Sequence, residues 1–327
     1  MARTDLLTNL IKAGSEKNFD LFVEIAQSII KEEEFKQHHT LAERLKKALN
    51  VTETKKFEFL ENQTGVNSDF FTVIKPEIEL GELILSNINL QIVSDFLEEY
   101  SMKDYLRSNG INPRNKILLV GKPGNGKTSL AEAMAYELAV PLYHVNYEVL
   151  INSLLGESLS RIKKLFSSIY NSNCVLFFDE FDTVSKSRGD KNEVGEVKRI
   201  VNLLLTNIDK LSSNTILIAA TNHPEALDHA MTRRFQITLE LDAPSELEII
   251  KYLESYSKRF DIDFLYQFSY LSRMLNNFSF SDLKEFCDSV RRSYFIKLNK
   301  NQSLSKKDIK AFIDIIKQSK NFVKAKF

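Results

Sequence analysis

The chain has 327 residues, 43% hydrophobic and 27% charged, and its 44 Lys and Arg offset 44 Asp and Glu to a net charge of +0. That is the composition of a globular, soluble protein with room for more than one domain. It lacks the basic excess of a dedicated nucleic-acid binder, and no apolar run approaches the ~20 residues needed to span a bilayer. Cys174 and Cys287 lie far apart, one in an apolar run and one in a helical pattern, and read as reduced core residues, not a disulfide or metal pair. The N-terminus is polar and shows no signal-peptide apolar region, so a cytoplasmic protein is expected.

Residues 1–50 read as a small helical unit. Asp5 to Ala13 form one short segment ended by Gly14. Phe19, Phe22, Val23, Ala26, Ile29 and Ile30 recur at spacings of 3 and 4, the mark of a one-sided helix. Thr40-Leu41-Ala42-Glu43 has the form of a capping box opening a third helix to Leu49. So small a unit buries little by itself. It is either a partner-docking module or a cap on the next domain, and both readings stay open. His38 and His39 are adjacent, project to different sides of a helix, and read as solvated surface. Residues 51–69 lose all periodicity and read as a linker.

Residues 70–242 predict an α/β domain. Leu90 to Tyr100 is helical, and Asn109-Gly110 breaks the chain. Strand candidates at 116–120, 142–145, 174–179, 215–219 and 236–241 alternate with helical patterns at 128–138, 158–170 and 194–210. Alternation of this kind predicts a buried, parallel, five-stranded sheet. Residues 243–327 contain no good strand run. Ser245-Glu246-Leu247-Glu248 is another capping box, and helical patterns continue over 263–275, 281–298 and 305–319, giving a separate helical subdomain.

The chemistry concentrates around Gly121-Lys122-Pro123-Gly124-Asn125-Gly126-Lys127-Thr128, which fits G-x-x-x-x-G-K-[ST] at every fixed position. An apolar strand precedes it and a good helix former, starting at Ser129, follows. This order sets backbone N–H groups and a helix N-terminus around a polyphosphate. Pro123, Gly124, Asn125, Gly126 and Ser129 would line the phosphates, Lys127 would reach the outer ones, and Thr128 would ligate Mg²⁺. The strand Cys174 to Phe178 ends in two acids. Asp179 there would hold the metal through water, and Glu180 would polarise an attacking water. The strand Ile216 to Ala220 leads to Asn222, which would orient that water or touch the γ-phosphate. Arg233 and Arg234 precede the fifth strand, where they suit arginine fingers offered to a neighbouring subunit.

Taken together, Gly121 to Thr128, Phe177 to Asp182 (FFDEFD), Ala219 to His223 (AATNH) and Leu227 to Phe235 (LDHAMTRRF) resemble the AAA ATPases over roughly residues 70–327. The last stretch is similar to the second region of homology of the katanin and spastin branch. Phe278 to Leu283 is similar to the family's F-S-G-A-D-L in the helical lid. The resemblance implies a P-loop three-layer αβα domain with a helical lid, bound ATP and Mg²⁺, and a homo-oligomeric ring, usually a hexamer, with nucleotide between subunits. Gln37 to Ala42, Phe177 to Phe181 and Glu193 to Arg199 also resemble a bacterial group of small AAA ATPases that occurs with subtilisin-like serine peptidases implicated in phage defence. No Ser/His/Asp peptidase set is identifiable in this chain.

Two departures from the family pattern stand out. Asn152 to Ser158 matches the first pore loop, with Leu154, Leu155 and Gly156 at its centre, yet an aromatic residue is common where Leu154 stands. Leucine grips an extended polypeptide less rigidly than an aromatic ring. In the lid, Phe280 and Ser281 replace the family's Gly and Ala, which leaves the adenine contacts open: Phe280 either stacks nearby or points away. The resulting expectation is an ATP-hydrolysing ring that remodels or controls a protein partner. The alternatives are a nucleotide-gated switch that holds a partner in check without threading it, and a DNA-dependent loader, which the neutral charge disfavours.

Overall fold

The computed structural model of the chain describes residues 70–146, 155–170, 172–183 and 194–324, together with scattered helical positions between Leu6 and Ile30. The chain divides into two units, 1–66 and 67–327. In the first, Leu6, Leu10, Phe22, Ile25 and Ile29 share a small apolar cluster. The capping box expected at Thr40, the pair His38 and His39, the linker and Leu154 lie outside the described residues.

The second unit is built on one sheet. Its strands are β1 (Phe71–Ile74), β2 (Lys116–Val120), β3 (Leu142–Val145), β4 (Cys174–Phe178), β5 (Thr215–Thr221) and β6 (Ile237–Glu240). Their spatial order is β1-β3-β4-β5-β2-β6. All five strands expected from the sequence are present, and they pair in parallel. Every residue of β4 and β5 is buried, which is why both read as unbroken apolar runs. The sheet nevertheless has six strands where the sequence predicts five. The sixth, β1, runs antiparallel to β3, with Phe71 opposite Val145 and Ile74 opposite Leu142. It is four residues long and sits at an edge, so it carries little of the pattern that marks a buried strand.

Helices α1 (Asn87–Ser101), α2 (Lys103–Ser108), α3 (Lys127–Glu137), α4 (Leu155–Ile169), α5 (Val194–Asp209) and the short α6 (His229–Thr232) connect these strands. Val93 and Phe96 of α1 and Leu130 and Met134 of α3 pack on one sheet face, against Ile117, Leu119, Val175, Phe177, Ile216 and Ile218. The alternate positions Leu118, Leu176, Phe178 and Leu217 point to the other face and are equally buried. Helices α4 and α5 pack on each other and bury the stripes Ile162, Leu165, Phe166, Ile169 and Val201, Leu204, Leu205, Ile208. The result is the layered arrangement of a P-loop αβα fold.

Residues beyond β6 form four helices: α7 (Glu246–Phe260), α8 (Phe268–Met274), α9 (Phe280–Asn299) and α10 (Lys306–Lys324). They enclose their own core, with Leu253, Phe264, Leu271, Phe278, Phe286 and Ile313 at its centre. The capping box at Ser245 and Glu248 opens α7 as the sequence predicts, and a second, at Ser279 and Asp282, opens α9. Cys174 and Cys287 are buried and unpaired. Burial pushes the Cys174 thiol up to about 12, with a hydrogen bond from Thr215 opposing it, so it is chemically inert.

Candidate functional site

The carboxyl ends of β2, β4 and β5 are adjacent in the sheet, and each delivers polar residues to the same edge. The loop after β2 is pressed tightly on its surroundings. Gly121 has φ +155°, and a Cβ there would lie 2.2 Å from the Leu241 carbonyl oxygen. That same carbonyl accepts a 3.1 Å hydrogen bond from Asn125 Nδ2. Asn125 is buried, and its Oδ1 has no hydrogen-bond partner among the described residues. Gly124 has φ +81°, and a Cβ there would meet Ser279 Oγ at 2.8 Å and Ser281 at 3.1 Å. The Ser281 N–H donates to the Gly124 carbonyl at 3.0 Å. The first turn of the lid helix α9 therefore sits directly on the glycine loop. Phe280 packs in the lid, 6.0 Å from the Tyr252 ring. Phe280 is half-buried there, against the edge of the lid core.

Helix α3 opens directly from the loop, so the N–H groups of its first turn lack intrahelical acceptors. Lys127 is its first residue and is 6% exposed. Its three ammonium donors face three acceptors: Asn222 Oδ1 at 2.6 Å, the Gly121 carbonyl at 2.7 Å and the Lys122 carbonyl at 3.1 Å. Burial pushes the Lys127 pKa below its usual value, and the charges of Asp179 and Asp182 pull it back up. Thr128 Oγ1 donates to Asp179 Oδ2 at 3.1 Å. The other oxygen, Oδ1, accepts the Glu180 N–H at 2.9 Å, which fixes the orientation of the carboxylate. A hydroxyl and a carboxylate held side by side form a hard-oxygen donor set that suits Mg²⁺. Pro123 is exposed on the loop, and Ser129 is half-buried in the first turn of α3.

Glu180 is exposed and has φ +49°, a backbone region that costs a non-glycine residue roughly 1 kcal/mol or more. Neighbouring bonds hold it there. Its carbonyl accepts the Thr183 N–H at 2.9 Å, and the Phe181 N–H donates to the Ala220 carbonyl at 2.8 Å. A brace missed by the sequence reading lies beneath. Thr221 Oγ1, fully buried, donates to Asp182 Oδ1 at 2.9 Å and accepts the His223 N–H at 3.0 Å. It ties the chain on either side of Asn222 to the acidic segment. The only sequence signal for it was Asp182, the third acid of FFDEFD.

The two arginines part company. Arg233 is exposed, and its guanidinium has no hydrogen bond or ion pair among the described residues. Arg234 is half-buried; its Nε lies 3.1 Å from both Asp209 carboxylate oxygens, and its guanidinium donates to the Ala230 carbonyl. Neither arginine bonds to Lys127, Asp179, Glu180 or Asn222. Leu155 and Gly156 fall in the first turn of α4.

Residues 117–243 match the family model described as "ATPase family associated with various cellular activities (AAA)". The chain is 34% identical over 307 residues to an uncharacterised AAA family ATPase, y4kL, of Sinorhizobium fredii, covering 92% of each protein. It is 31% identical over 242 residues to a putative 26S proteasome regulatory subunit homolog of Methanothermobacter marburgensis, covering 72% of this chain and 62% of the relative. It is also 34% identical over 195 residues to the peroxisomal ATPase pex6 of Schizosaccharomyces pombe, covering 57% of this chain and 21% of the relative.

Proposed function

Because the chain belongs to the AAA family of ATPases, we propose that its ATP hydrolysis drives an oligomeric ring, of six subunits as in most of the family, that remodels or controls a protein partner. The observation that carries this reading is the juxtaposition of Lys127 with Asn222 and of Thr128 with Asp179, across three adjacent strand ends. Lys127 and the N–H groups opening α3 bind the outer phosphates of ATP. Pro123, Gly124, Asn125 and Gly126 wrap the polyphosphate from the loop side, and Ser129 flanks it from α3. Thr128 and Asp179 would hold Mg²⁺, which when bound neutralises phosphate charge during transfer. Glu180 takes up the proton of the attacking water, and Asn222 orients that water against the γ-phosphate.

In the structure Lys127 donates to Asn222 at 2.6 Å. A γ-phosphate entering the site competes for those ammonium donors and frees Asn222 for the water. Arg233, exposed and without a partner among the described residues, serves the nucleotide of the neighbouring subunit, where it stabilises charge on the transferring group.

The protein partner is inferred from relatives. The name of the Methanothermobacter protein places it with proteasome regulation, and the peroxisomal protein is an ATPase. A subtilisin-like peptidase partner and a role in phage defence rest on the motif resemblance alone. Among the described residues no helix is long and apolar enough to cross a membrane. A second reading, a nucleotide-gated switch that holds its partner without threading it, draws support from Leu154 in place of an aromatic pore residue.

The test is Glu180→Gln. The variant is expected to bind ATP as the wild type does, to lose turnover by about 100-fold or more, and to accumulate as an ATP-bound oligomer in sedimentation. Wild-type hydrolysis by this variant would remove Glu180 from the mechanism.

A further inference from the structure

Asp209 is the last residue of α5. An acid at a helix C-terminus opposes the helix dipole, so its presence there asks for a compensating partner. That partner is Arg234, whose Nε lies 3.1 Å from each carboxylate oxygen. The same guanidinium donates to the Ala230 carbonyl inside α6. One planar fork thus joins the end of α5 to the short helix that carries the arginine pair.

The other supports of this turn are also in place. Asp228 Oδ1 caps α6 by accepting the Met231 N–H at 2.8 Å, and Met231 is fully buried. Phe235 meets Phe181 edge to face at 5.7 Å, behind the acidic segment. Gln236 brackets the start of β2: its Oε1 accepts the Lys116 N–H at 2.8 Å, and its own N–H donates to the Lys116 carbonyl at 3.0 Å. Asp228, Met231, Arg234, Phe235 and Gln236 are thus all anchored, and among them Arg233 projects from the turn into solvent.

We propose that Asp209 and Arg234 form a strut that positions Arg233, making both of them positioning residues for hydrolysis at the neighbouring subunit's ATP. This rests on the reading of Arg233 as a residue acting in trans. It assigns different roles to two arginines that are equivalent in sequence. The Asp209 side chain is 49% exposed, so the ion pair adds little to stability, about 0–1 kcal/mol. What it supplies is direction: a long side chain reaching across a subunit boundary loses rate steeply when its base shifts by an ångström.

The test uses the full-length protein and the variants Asp209→Asn and Arg234→Lys. Each is expected to lower kcat by about 10- to 100-fold, with ATP affinity and thermal midpoint unchanged. Mixing supplies the readout that a merely structural role would not move. Asp209→Asn mixed with Lys127→Ala should regain activity, because one supplies an intact phosphate loop and the other an intact Arg233. Asp209→Asn mixed with Arg233→Ala should regain none, because both are defective on the same side of the interface. Wild-type kcat in Asp209→Asn overturns the strut. So does failure of Lys127→Ala to rescue Asp209→Asn while it rescues Arg233→Ala. If Lys127→Ala does not rescue Arg233→Ala either, the trans reading itself falls and takes the strut with it.

Discussion

Replacing Gly124 by Ala would test how the lid and the phosphate loop are joined. The added methyl would meet Ser279 Oγ at 2.8 Å and Ser281 at 3.1 Å, on a backbone with φ +81°. An L-residue in the left-handed region costs about 1–2 kcal/mol. Ser279 Oγ cannot swing aside cheaply, since it caps α9 by accepting the Asp282 N–H. The loop must instead back away from the lid, which breaks the hydrogen bond from Ser281 N–H to the Gly124 carbonyl, worth about 1 kcal/mol. The sum is about 2–3 kcal/mol, and because ATP needs the loop in its original shape, binding must restore it. That predicts an ATP dissociation constant raised by about 30- to 150-fold. Titration with a fluorescent ATP analogue measures it, alongside the thermal midpoint. Gly81→Ala is the control, since nothing lies within 4 Å of its Cβ position. Wild-type ATP affinity in Gly124→Ala would refute the argument that the lid seats on this glycine.

Two further outcomes follow from the lid. Phe280→Ala should lower stability by about 1–2 kcal/mol, as expected for a partly buried aromatic, and leave ATP affinity unchanged; a clear loss of affinity would return Phe280 to the adenine site. Asp308 accepts from Lys297 and Ser305, and those bonds hold its carboxyl at about 2. Its folded pKa lies below the unfolded value of about 4, so its contribution is complete above pH 4 and is lost as pH falls toward 2. Asp308→Asn should therefore be less stable than wild type at neutral pH, with the two profiles converging near pH 2; superimposable acid-unfolding curves would contradict this.

Most of the sheet was legible because β2, β4 and β5 lie inside it and are covered on both faces, so their residues are apolar almost without interruption, while β6 at the far edge shows the alternation of a half-buried strand. The edge strand β1 had no such constraint, pairing only with β3. The grouping of Lys127, Thr128, Asp179 and Asn222 was legible because each follows a buried strand, and parallel strands end on one side. The remaining features were hidden because they join distant residues through ordinary ones. Leu241 offers only its carbonyl to Asn125 and Gly121. Ser281 offers its backbone N–H to Gly124. Asp209 reads as a solvated acid on an amphipathic helix until Arg234 is seen against it. Sequence spacing likewise made Arg233 and Arg234 alike, whereas the turn after α6 sends one outward and the other back to α5.

The central claim is that the ATP site belongs to two subunits, and a mixing titration tests it most directly. Arg233→Ala and Lys127→Ala are each expected to be inactive alone. Combined at varying ratios with fixed total protein, they should regain ATPase activity that peaks at equal proportions, near about a quarter of the wild-type rate for random assembly through head-to-tail interfaces. A rate that stays at the background of the single variants at every ratio would contradict the shared site.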